Sequence, residues 1–111
     1  MSSSLSVRVD GMAMTLDEAL GILRANAGAL RARGVVHAAV FGSVARGESN
    51  AESDVDILVD LEPGNPCGVF EYVRLRHDVA ALFGTPVDLV ERKALKPLVR
   101  QEALKEAVDA F

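Results

Sequence analysis

The sequence predicts an α/β (α+β) domain, a small sheet with helices packed on it, and three observations predict it. Three short apolar runs, 35–41, 54–61 and 85–90, have the length of strands. Around them lie three stretches with apolar residues at helical spacing, 15–33, 66–83 and 97–110. The chain has 111 residues, half of them hydrophobic and a quarter charged, which suits one globular domain with a real core.

Residues 1–14 form an N-terminal extension, a small hairpin around Asp10-Gly11 or a disordered tail. The domain itself runs from 15 to 111. Thr15 and Glu18 have capping-box spacing, and Leu16, Leu20, Leu23, Ala27 and Leu30 follow on one helical face until Gly34 stops the helix. Val35 to Phe41 is a strand; His37 within it reads as a histidine satisfied by a neighbour. Asp54 to Leu61 is the second strand, closed by the turn residues Glu62-Pro63-Gly64-Asn65. Asn65 and Pro66 suit the cap and first position of a second helix, with Tyr72, Leu75, Val79 and Leu82 as its apolar stripe and Val69, Val73 and Phe83 widening it. Arg74, Arg76 and His77 read as surface residues. Gly84 ends this helix, 85–90 is a third strand, and Pro97 starts a last helix reaching about Ala110. Its apolar residues Ala103, Leu104, Ala107, Val108 and Phe111 serve either core packing or a partner surface.

Composition removes several function classes. A net charge of −4 argues against a broad nucleic-acid surface, which needs clustered Lys and Arg, although it leaves room for a nucleotide met locally. The single cysteine, Cys67, forms neither an internal disulfide nor a metal-binding cluster, as expected of a reducing, cytoplasmic location. The N-terminus lacks the pattern of a signal peptide, and no stretch approaches the ~20 apolar residues of a membrane span.

The chemistry concentrates between Val40 and Asp60. Asp is depleted in strands, yet Asp54 and Asp56 open an otherwise apolar run. Alternation sends both to one face, Cα atoms about 6.6 Å apart. Two carboxylates so close repel each other unless a cation such as Mg²⁺ joins them, and Mg²⁺ takes one or two carboxylates together with substrate phosphates. Asp60 shares the face but lies about 13 Å beyond Asp56, too far for the same metal. Gly42-Ser43 is the phosphate half: glycine lets the backbone approach a ligand, a helical turn opened by Ser43 aims free N–H groups at it, and Arg46 adds a positive charge. The plainer reading is a strand-loop-strand with a serine cap and an aspartate pair. Gly42 and Gly47 also have P-loop spacing, but Glu48 stands where that motif needs its lysine.

Gly42-Ser43, ten residues, then Asp54-Val55-Asp56 resembles the signature of the minimal nucleotidyltransferases of the DNA polymerase β superfamily, antitoxin-type proteins paired with HEPN-domain toxins. Ala45-Arg46-Gly47 and Ser53-Asp54 fit the same wording. The resemblance implies a polymerase β-like core with a small mixed sheet, and a third acidic residue on a following strand, for which Asp88 is the well-placed candidate. It implies transfer of AMP from ATP to a hydroxyl with release of pyrophosphate. In that scheme Asp54, Asp56 and Asp88 bind two Mg²⁺ ions and are the catalytic residues, while Gly42, Ser43 and Arg46 hold the triphosphate. The placed elements leave little chain for binding an acceptor, so the expected acceptor is a partner protein. The resemblance implies a tyrosine of a HEPN toxin, within a toxin–antitoxin hetero-oligomer or beside a homo-oligomer of this chain. Two alternatives stay open: a protein that masks its partner by binding alone, and an enzyme that modifies a small molecule.

Overall fold

A computed structural model of the chain describes residues 14–48, 54–63 and 69–111. The expected N-terminal hairpin and the Asn65-Pro66 helix cap fall outside the described residues. Helix α1, Leu16–Ala25, opens with the predicted capping box: Glu18 N–H donates to Thr15 Oγ1 at 3.1 Å, and Thr15 N–H donates to Glu18 Oε1 at 2.9 Å. The first helix does not run on to Gly34, as the apolar spacing suggested. It breaks at Asn26 and resumes as α2, Ala27–Ala32. The cause is local. Asn26 Nδ2 donates to the Ile22 carbonyl at 2.8 Å, taking the acceptor that its own N–H needs in a continuous helix, and that N–H turns to Leu23 instead.

Strand β1, Val35–Phe41, leads straight into a single helical turn, α3, Gly42–Arg46. Strand β2, Val55–Leu61, begins one residue later than expected, leaving Asp54 just outside it. Helix α4, Val69–Phe83, crosses to β3, Val87–Glu91, and supplies the long connection that a parallel pair requires. After a 3₁₀ turn at Arg92–Ala94 comes α5, Pro97–Glu106. The last helix therefore ends short of Ala110, and Val108–Asp109 forms β4, which the sequence reading did not foresee. The sheet is mixed, in the order β3-β2-β1-β4: β1 is antiparallel to β2 and β4, and β2 is parallel to β3.

One face of the sheet builds the core. Ala38, Val40, Val55, Ile57, Val59, Val87 and Leu89 pack with Leu20, Leu23 and Leu30 from α1 and α2 and with Leu75, Val79 and Phe83 from α4. The register of β1 slips between Val35 and His37, and this bulge lets Val35 join the core while His37 faces the other way. The stripe of α4 is narrower than its spacing suggested: Val73 and Leu82 are exposed, whereas Tyr72 packs against the core and its hydroxyl donates to the Leu89 carbonyl. The opposite face bears the acidic residues. Here α5 lies against β1 and α3. It buries Ala103 and exposes Leu98, Val99 and Leu104. No helix among the described residues is long and apolar enough to cross a membrane.

Candidate active site

The site begins where β1 stops. Gly42 has φ +74°, and a Cβ built on it would lie 2.1 Å from Asp56 Oδ2. Both the conformation and the space exclude a side chain, so the Gly42 backbone and the Asp56 carboxylate are in direct juxtaposition. The turn that follows is closed by Gly47, also at φ +74°, whose N–H donates to the Val44 carbonyl at 3.1 Å. Ser43 lies half-buried on this turn and Val44 is buried beneath it, which anchors the turn to the core. The helical opening expected at Gly42-Ser43 is thus present.

Asp56 is the hinge of the acidic group. Its register partners are Phe41 on β1 and Asp88 on the parallel strand β3. Residues paired across neighbouring strands lie about 5 Å apart and project to the same face, so the Asp56 and Asp88 side chains are neighbours. Asp56 is half-buried; Asp54 and Asp88 are exposed. Burial pushes the Asp56 carboxyl above the ordinary aspartate range; the negative charges of Asp88 and then Asp54 push it further, against a smaller opposing pull from Arg46. The three predicted aspartates therefore share one electrostatic environment. Among the described residues no three Asp, Glu, His or Cys side chains are drawn up as a ready-made cation cage. The oxygen-only donor set and the cost of keeping Asp56 charged beside its neighbours nonetheless suit a hard divalent cation, completed by ligand oxygens.

Arg46 reaches the same region through carboxylates. Its Nε donates to Glu48 Oε1 at 2.9 Å, and its Nη1 donates to Glu106 Oε1 and Oε2 at 3.0 and 2.9 Å. The hydrogen bond that the guanidinium donates to Glu48, then those to Glu106, raise its pKa. Glu106 is the residue the sequence reading missed. It ends α5, and its Oε1 also accepts the Gly42 N–H at 3.1 Å. Nothing near it in the sequence marks it, because its position depends on where α5 stops.

Asp60 is separate, as its distance along β2 implied. Its Oδ2 lies 3.2 Å from Arg92 Nη2 and 3.3 Å from His37 Nδ1. His37 Nε2 lies 3.1 Å from Asp109 Oδ1, so the histidine ties β2 to β4 in the structural role expected of it. Arg74, Arg76 and His77 are exposed on α4.

Comparison with known proteins identifies the family of this fold. Residues 18–110 match the nucleotidyltransferase domain family. The protein adenylyltransferase MntA of Thermococcus cleftensis is 43% identical over 96 residues, which cover 86% of this chain and 95% of the relative. A solved minimal nucleotidyltransferase is similar with a TM-score of 0.72 at 36% identity, covering 86% of this chain and 95% of its own. The complex of a tri-AMPylated Shewanella oneidensis HEPN toxin with its MNT antitoxin shares the fold at a TM-score of 0.60 and 17% identity, covering 83% of this chain and 71% of that one. Because the family match begins ahead of β1 and ends beyond β4, taking in both the glycine turn and the aspartates, the chain belongs to the nucleotidyltransferase domain family.

Proposed function

We propose that this protein is a protein adenylyltransferase, moving AMP from ATP to a hydroxyl, most simply a tyrosine, of a HEPN-type toxin and so acting as its antitoxin. One observation carries the chemistry: the Gly42 backbone abuts the Asp56 carboxylate, and Asp56 is paired in register with Asp88. A phosphate held at Gly42-Ser43 is then within reach of the carboxylates. The relative named adenylyltransferase and the complex with an AMPylated HEPN toxin support the choice of nucleotide and acceptor.

Asp54, Asp56 and Asp88 would hold two Mg²⁺ ions, which would stabilise the attacking and leaving oxygens of an in-line displacement. The rest is done by the chain. Gly42 N–H and the Arg46 guanidinium orient the triphosphate and meet the charge that develops on the leaving pyrophosphate. Asp88, the more exposed partner of the Asp56 pair, faces incoming acceptor and takes the proton of its hydroxyl. The acceptor oxygen forms its bond to the α-phosphorus as the bond from that phosphorus to the bridging oxygen breaks. Pyrophosphate leaves with the electron pair. Positioning and electrostatics suffice for such a reaction, which is why small residues and carboxylates can run it.

The test is incubation of the purified protein with labelled ATP, Mg²⁺ and the candidate toxin. Label should pass to the toxin and should vanish with Asp54→Asn and Asp56→Asn. Undiminished label with both variants would sink this site. No transfer under any condition, with toxin binding intact in both variants, would favour masking by binding alone.

A further inference from the structure

Glu106 stands where a phosphate is expected. Its carboxylate accepts the Gly42 N–H and both contacts from Arg46 Nη1, the donors assigned above to the triphosphate. A carboxylate and a phosphate present similar anionic oxygens to such donors. They cannot use the same donors at once. Nor can the backbone of α5 readily withdraw: two residues later β4 is paired with β1, Ala110 N–H donates to the Ala38 carbonyl at 2.8 Å, and Arg24 donates to the Ala110 and Asp109 carbonyls at 2.9 and 3.2 Å. The side chain itself is only partly covered, with 30% of it exposed, so it has solvent to turn into.

We propose that Glu106 is the resident anion of the phosphate cradle, and that nucleotide binding turns its side chain out into solvent. This rests on the nucleotide reading of the site and adds to it the residue that sets nucleotide affinity. In the free protein Glu106 keeps the Gly42 N–H and Arg46 satisfied and in place. A nucleoside triphosphate must outcompete it, whereas the uncharged part of the ligand gains nothing from its departure. Once pyrophosphate leaves, Glu106 can reclaim both donors and oppose rebinding of the product.

Calorimetric titration of the full chain with AMP-PNP and Mg²⁺ tests this with three variants. Glu106→Asp keeps the charge but shortens the side chain by one methylene, so it can no longer span to Gly42 and Arg46. It should bind AMP-PNP roughly three- to tenfold more tightly than the parent, the scale of losing one partly exposed charged competitor. Glu106→Gln should also bind more tightly, and Arg46→Ala more weakly. Unchanged or weaker binding by Glu106→Asp, while Arg46→Ala still weakens it, overturns the resident-anion role and leaves the nucleotide site standing. Tightening by Glu106→Gln alone reduces the effect to a nearby charge and overturns the role equally. Absence of binding in the parent and in both Glu106 variants overturns the nucleotide reading itself, and the resident-anion role with it.

Discussion

Gly42→Ala separates the two reasons for the glycine at the end of β1. The first is conformational: an L-residue held in the left-handed region costs about 1–2 kcal/mol. The second is space. The new Cβ would stand 2.1 Å from Asp56 Oδ2 and 3.0 Å from its Cγ, and ordinary contact begins near 3.4 Å, so the carboxylate has to retreat by more than an ångström. It cannot do so freely, because Asp56 sits in β2 between Phe41 and Asp88. A displacement of that size at a reacting centre costs on the order of 10²-fold in rate. Gly47 is the built-in control. It has the same φ of +74° with nothing within 4 Å of an added Cβ, so Gly47→Ala incurs the backbone cost alone. Thermal melting should show the backbone loss alone in Gly47→Ala, roughly 4–8 °C for each kcal/mol in a domain of this size, and a larger loss in Gly42→Ala, which adds the clash with Asp56. Labelled AMP transfer should collapse in Gly42→Ala and remain mostly intact in Gly47→Ala. Equal transfer by the two variants would refute the claim that the space at Gly42 belongs to Asp56 and the phosphate.

Asp56→Asn should abolish transfer yet raise Tm by a few degrees at pH 7 in the presence of a chelator, because it removes a charge that burial, Asp88 and Asp54 all disfavour. The sign follows from linkage. A carboxyl with a raised folded-state pKa holds its proton longer in the folded than in the unfolded chain, so parent stability falls as pH rises from near 3.9 through the folded value. The advantage of Asn is therefore complete at neutral pH and disappears in melts below the unfolded pKa. Asp88→Asn should slow single-turnover transfer by about 10²-fold or more through loss of the proton acceptor, and raise Tm less than Asp56→Asn does, since it relieves the repulsion with Asp56 but not the cost of burying that carboxylate. Thr15→Ala deletes the cap on Glu18 N–H and should cost about 1 kcal/mol in denaturant melts, with transfer unaffected.

What was legible in the sequence was local in origin. The capping box at Thr15, the turn at Gly42 and the acidic opening of β2 each depend on residues a few positions apart, and each is present. Asp88 was placed by family resemblance, and the parallel register gives that placement its physical reason. The misses all depend on distant or competing contacts. The break at Asn26 turns on one side chain capturing the Ile22 carbonyl, against an apolar spacing that runs straight through it. Leu82 fits the helical stripe of α4 but the described residues around it leave it exposed. Val108–Asp109 is too short for alternation to show, and becomes a strand only because the edge of β1 is there to pair with.

Strand polarity explains why a residue as remote as Glu106 belongs to this site. Since β1 and β2 are antiparallel, the end of β1 at Gly42 lies beside the start of β2 at Asp56. Since β2 and β3 are parallel, the start of β3 brings Asp88 to the same end of the sheet. The edge strand β4 is antiparallel to β1, pairing Val108 with Val40, so its start also lies at that end, and the residue two positions earlier is Glu106. Had β4 run parallel to β1, the end of α5 would lie at the opposite end, near His37 and Asp60. In the proposed reading the motif around Gly42 and Asp56 recruits the nucleotide, and the direction of the last two-residue strand is what brings the Glu106 carboxylate to the same donors.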